Sequence, residues 1–179
     1  MRKTFLATVV AALAAVGAGC GGSNEASSVT PTEWADGFCS AITTWGDALT
    51  SVTVQLSTLS LSTSALEDVA NDARNATETL VDDLKGLGVP DTESGQAVKD
   101  SIDVLSATLE REAANIQDAA GGASGVSGLR NAIASITRSL AAMGAAAFTS
   151  TAALLQSTDA KGALRAAFED APACAEVSS

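Results

Sequence analysis

TPTEWADGFCSAITTWGDALTSVTVQLSTL, residues 30–59, is the stretch on which the fold turns. Thr30-Pro31-Thr32-Glu33 opens it with a capping hydroxyl, a Pro preset for the first helical position and an acid three residues after the cap. Downstream, Trp34, Phe38, Ile42, Trp45, Leu49, Val52, Leu56 and Leu59 recur at intervals of three and four. That period places them on one side of an α-helix about seven turns long, where a half-buried strand would alternate. The spacing predicts a helix over 31–59. The β-branched Val52, Thr53, Val54 and Thr58 weaken its last turns.

Working outward, the same period returns three times. Ser64-Ala65-Leu66-Glu67 is a second capping box, followed by Leu66, Val69, Ala73, Ala76, Leu80, Leu84 and Leu87, and closed by Gly86, Gly88 and Pro90. A third helix starts near Thr92, presents Val98, Ile102, Leu105, Leu109, Ala113, Ile116 and Ala120, and stops at Gly121-Gly122. A fourth starts near Ser127 with Leu129, Ile133, Ile136, Leu140, Met143, Ala147, Thr151 and Leu154. A short fifth, about 159–169, shows Leu164 and Phe168 before Pro172 and Cys174. Hydrophobic residues are 46% of the chain and aromatics only 3%, a core chemistry of Ala, Leu, Val and Ile that suits close-packed helices. Short connections imply antiparallel neighbours. The expectation is an all-α domain over residues 30–179: an antiparallel up-down-up-down four-helix bundle with a short C-terminal helix.

The N-terminus reads differently. Met1-Arg2-Lys3 is positive, and Phe5 to Val16 is an apolar run of about twelve residues, short of the about twenty a bilayer span needs. Gly17-Ala18-Gly19 then sets small residues before Cys20. Residues 1–19 are therefore expected to be a secretory signal peptide. Gly17-Ala18-Gly19-Cys20 followed by Gly21-Gly22-Ser23 resembles the lipobox of bacterial lipoproteins. That resemblance implies cleavage before Cys20, a diacylglycerol on its thiol, acylation of the new N-terminus, and anchoring on the extracytoplasmic side of the cell membrane. It covers only the leader. The position three before the Cys is ordinarily aliphatic and here holds Gly17, so ordinary signal peptidase cleavage, releasing a secreted protein, is the alternative. Residues 20–29, rich in Gly, Ser and Asn, read as a flexible tether between anchor and domain.

Cysteine arithmetic bears on the same question. Of three Cys, a lipidated Cys20 leaves Cys39 and Cys174, an even pair in an oxidising compartment where a disulfide is expected. Topology agrees. In an up-down-up-down bundle the end of helix four lies beside the start of helix one, which brings residues 39 and 174 to the same pole.

The chemistry that is missing narrows the function. His is absent, which removes HExxH zinc sites, Glu-x-x-His di-iron sites and every His-based nucleophile pair. Net charge is −11, and loss of Arg2 and Lys3 leaves eight basic residues against 21 acidic ones, in no basic run. Nucleic acid is not expected as a partner, since phosphate binding needs clustered Lys and Arg. The Gly-rich 121–128 lacks the Lys of a phosphate loop and follows a helix, so it reads as a turn. Adjacent acids such as Asp82-Asp83 point about 100° apart on a helix and make poor acid/base dyads. No metal and no cofactor are expected, and no enzymatic activity. Trp34, Phe38 and Trp45 are expected to pack the core, or, as the sharper reading, to border an apolar ligand pocket faced by Ala141, Ala145 and Ala146. The leading expectation is a lipid-anchored envelope protein whose bundle meets an unknown protein partner. The alternative is a carrier of an apolar small molecule or lipid, which predicts an internal cavity of several hundred Å³.

Overall fold

The computed structural model describes residues 29–59, 62–156 and 162–177. The leader, Cys20 and residues 21–28 of the tether lie outside the described residues, as do 159–161 of the expected fifth helix. The architecture is an antiparallel four-helix bundle of α1 (Pro31–Thr58), α2 (Thr63–Gly86), α3 (Gly95–Gly121) and α4 (Gly125–Gln156). Two short helices follow, α5 (Ala163–Asp170) and α6 (Pro172–Val177). Among the described residues there is no strand, only an isolated bridge between Val29 and Pro90.

Each long helix buries the stripe its sequence carries. In α1 the side chains of Trp34, Phe38, Trp45, Val52 and Leu56 are buried, while Ile42 and Leu49 are half-buried against the core. Leu66, Leu80 and Leu84 of α2 meet Leu105, Leu109 and Ile116 of α3, all at 2% exposure or less. In α4, Ile136 and Met143 are fully enclosed, whereas Ile133 and Leu140 on the flank of the stripe are only half covered. That asymmetry has a cause in the packing. α1 lies along α2 and takes α5 and α6 on its other side, meeting α4 only sparingly.

The helix ends correct the expected boundaries in four places. α2 is capped by Ser62, whose Oγ accepts from the Ala65 N–H at 3.2 Å, in place of Ser64. Ser62, Thr63 and Ser64 are all competent caps, and the earliest adds helical backbone bonds without disturbing the stripe. α3 starts at Gly95 and not near Thr92, because Val89–Asp91 is drawn out to pair with Val29. The Val29 N–H donates to Val89 O at 3.4 Å and the Asp91 N–H to Val29 O at 3.0 Å. Val29, the last residue of the expected tether, is thereby pinned to the bundle. α4 starts two residues early, at Gly125 with φ +64°, the left-handed region that favours Gly. Finally, the C-terminal segment is two helices. Pro172 forces Ala171 out of helical geometry, to φ −77° and ψ 121°, and then begins α6 at its first position.

Stability should follow packing. Leu109→Ala, at a fully buried site, is expected to cost about 2–5 kcal/mol in chemical denaturation. Gly46→Ala is expected to gain about 0.5–1 kcal/mol, since Gly is unfavourable inside a helix and a Cβ there meets nothing within 4 Å. Gly95→Ala, whose Cβ would stand 2.2 Å from the Pro90 carbonyl oxygen, is expected to lower the melting temperature.

Candidate functional site

The pole where α1 begins carries the disulfide and the aromatic cluster, for reasons that begin with helix direction. Antiparallel order brings together the start of α1, the end of α2, the start of α3 and the end of α4. Across this pole Cys39 and Cys174 are joined, with Cα atoms 5.1 Å apart and 135 positions between them in sequence. The bond fastens α6 to the third turn of α1. Beside it, Trp34 and Phe38 stack at 5.4 Å between ring centroids, 13° from parallel. Phe168 of α5 stands edge-on to both, at 6.2 Å and 5.8 Å. Edge-to-face contact sets the positive rim of one ring against the negative face of the next, and adds about 0.5–1.5 kcal/mol per pair beyond burial.

The polar atoms of these rings are satisfied. Trp34 Nε1 donates to the Gly88 carbonyl oxygen at 3.3 Å, one residue past the α2 cap, where Gly88 takes φ 70°. Trp45 Nε1 donates to Thr77 Oγ1 at 3.4 Å, and Thr77 passes its own proton to Ala73 O at 2.8 Å. Asp36 supplies a contact the sequence did not suggest. Its Oδ1 accepts from the Ala173 N–H at 2.9 Å. α6 has only Ala171 before Pro172 and no capping side chain of its own, so α1 lends it one.

The structure thus brings Trp34, Phe38, Cys39 and Cys174 together, and places Trp45 farther along α1 against α2. Trp34 and Phe38 are 1% exposed and Trp45 5%. Of the small residues expected to face them, Ala141 and Ala145 are exposed on the outside of α4, and Ala146 is half-buried. The stripe through Leu140, Met143 and Ala147 turns them away, because each residue advances the side chain by about 100°.

The clefts lie elsewhere, between neighbouring helices, and mix charged or polar side chains with small apolar ones. One of about 580 Å³ between α3 and α4 is lined by Glu112, Asn115, Asp118, Ser135, Arg138 and Ser139. Another, of about 280 Å³ between α2 and α3, carries Arg74, Glu78, Glu110 and Gln117. A third, of about 420 Å³ between α1 and α2, has Ser40, Thr44, Asp82 and Asp83. Among the described residues no group of three or more His, Cys, Asp or Glu is placed to hold a metal ion. The ion pairs, such as Lys85–Glu110 at 3.0 Å between α2 and α3, are half exposed. Pairs so exposed contribute little to stability.

No protein-family model, curated protein or solved structure matches this chain.

Two consequences can be measured. Replacing Cys39 and Cys174 together by Ser is expected to destabilise the domain by about 2–5 kcal/mol, below the roughly 5 kcal/mol loop-entropy limit for so long a loop. Phe168 then leaves the Trp34 ring, which tryptophan emission should report as a red shift under native conditions. Asp36→Ala is expected to cost about 1 kcal/mol, the usual value of a helix cap, read as a smaller shift of the same unfolding midpoint.

Proposed function

We propose that this chain is an exported cell-envelope lipoprotein, held on the extracytoplasmic side of the membrane by lipid on Cys20, whose non-enzymatic bundle serves as a protein-interaction module. The observation that carries this reading is the use of the cysteines. Cys39 and Cys174 are bound to each other, so Cys20 is left over, directly after Gly17-Ala18-Gly19 and an apolar run behind Arg2 and Lys3. A covalent tie of this kind belongs in an oxidising compartment, which agrees with export. The start of α1 agrees too, since the chain enters the bundle at the pole the disulfide fastens and leaves the other faces free for a partner.

The interaction role draws on what the residues offer. A chain with no His lacks the usual nucleophile pairs and metal ligands, which leaves surface contact as the role of the bundle. Anchoring would not rest on charge, because an acidic chain gains nothing from anionic lipid. It would rest on acyl chains, each buried CH₂ contributing about 0.8 kcal/mol, with two or more chains needed for stable attachment.

Intact mass spectrometry of membrane-extracted protein provides the test. The expected mass exceeds that of a chain beginning at Cys20 by a diacylglycerol, with or without a further acyl group, and Cys20→Ser is expected to move the protein from the membrane fraction to the soluble one. A mature mass equal to the unmodified chain would sink the proposal.

A further inference from the structure

The outer face of the C-terminal half of α4 is long, uncharged and built largely of small and apolar residues. From Ser139 through Gln156 the helix carries no charged residue, although the chain as a whole holds 21 acids. Its exposed positions include Ala141, Ala142, Gly144, Ala145 and Phe148. Phe148 is 78% exposed, the most open of the large apolar side chains among the described residues. Gly144 has no packing reason within the chain, for a Cβ there would meet nothing within 4 Å. α4 from Gly125 to Leu154 is the one described helix long and apolar enough to cross a membrane by length and composition, with 28% of its most apolar window buried. That buried share is the stripe of Ile136 and Met143, which belongs to the bundle core. The exposed share has no cover among the described residues.

Where this face sits indicates what covers it. The uncharged half is the C-terminal half of α4, which ends at the same pole as Val29. Phe148 lies about 12 Å along the axis from the end of the helix, at 1.5 Å per residue. The segment from Cys20 to Val29 extends to about 30 Å at most, so a lipid on Cys20 keeps the pole within that distance of the bilayer. We propose that the outer face of α4, with Phe148 at its centre, rests on the lipid surface and lays the anchored bundle on its side. This inference rests on the anchoring proposed above.

Size and charge favour lipid over a second copy of the chain. A stable protein–protein interface takes roughly 800 Å² from each partner. One aromatic of about 150–250 Å² among Ala and Gly does not supply that. A bilayer asks for no matching shape, and a short tether supplies a millimolar local concentration, so a weak apolar contact suffices. The face also approaches lipid without stripping water from a charge, which an acidic flank would have to do. The acids near the same pole, Asp91, Glu93, Glu169 and Asp170, make a zwitterionic surface the suitable probe.

The test uses lipidated full-length protein bearing Phe148→Trp, with phosphatidylcholine vesicles whose acyl chains are brominated. Trp34 and Trp45 are buried, so the wild type supplies a background little affected by the quencher. The emission added by the new Trp is expected to fall at least twofold on brominated vesicles relative to unbrominated ones. Phe148→Asp is expected to float with vesicles as before, while its α4 amides lose the slowed hydrogen exchange that vesicles confer on the wild type. Protein that floats with vesicles but shows no added quenching overturns this inference and leaves the anchor standing. A dimer in sedimentation, again without quenching, overturns it in favour of a second copy. Failure to float removes the anchor and this inference together.

Discussion

The bond between Cys39 and Cys174 sets the terms for the rest of the domain. α1 has a neighbour in α2 along one side, but α4 reaches its other side only sparingly. A bundle left in that state would expose Trp34 and Phe38 at its own start. α5 and α6 fill the opening, yet α5 has eight residues and α6 six, too few for helices to persist by themselves in water. The covalent tie removes most of the freedom they would otherwise have to leave. Phe168 then completes an aromatic cluster that neither α1 nor α5 could make alone.

The same economy is visible in the capping. Short helices have the highest proportion of unpaired backbone donors, because the first four N–H groups of any helix lack an internal partner. In α6 Pro172 removes one such donor by having no N–H, and Asp36 satisfies the next at Ala173. Both devices act at the pole where the disulfide already fixes the geometry, so a single side chain held in place suffices. Farther along α1, the Trp45–Thr77–Ala73 relay does the comparable service for a buried indole, tying α1 to α2 at mid-height.

The bundle was legible because its apolar residues keep a strict helical period over long stretches. Leu66 to Leu84, apart from the half-buried Ala76, and Val98 to Ala120 are buried as the stripes require. The disulfide was legible through topology, given three cysteines and four long helices. Other features were not, for physical reasons. Three consecutive hydroxyl residues at 62–64 are equivalent caps, so periodicity alone does not choose among them. Val29 looks like tether in composition, and its bridge to Val89 and Asp91 is a backbone contact that leaves no mark on side chains. The Asp36 cap joins residues 137 positions apart, beyond any local pattern. Alanine misled in α4 because it favours helix without favouring either face, which put Ala141 and Ala145 on the wrong side although the stripe beside them was correct.

Val29 carries one more implication, this time mechanical. Two backbone hydrogen bonds hold it to the α2–α3 connection, and the first turns of α1 come next. A pull transmitted along the preceding residues would break those bonds and begin to unwind α1 from its start. Where the load leaves through the residues after Cys174, unwinding stops at Cys39, because from there the force crosses the sulfur–sulfur bond into α6. The domain therefore has a fixed stop against tension, and all four long helices lie beyond it except for the opening turns of the first.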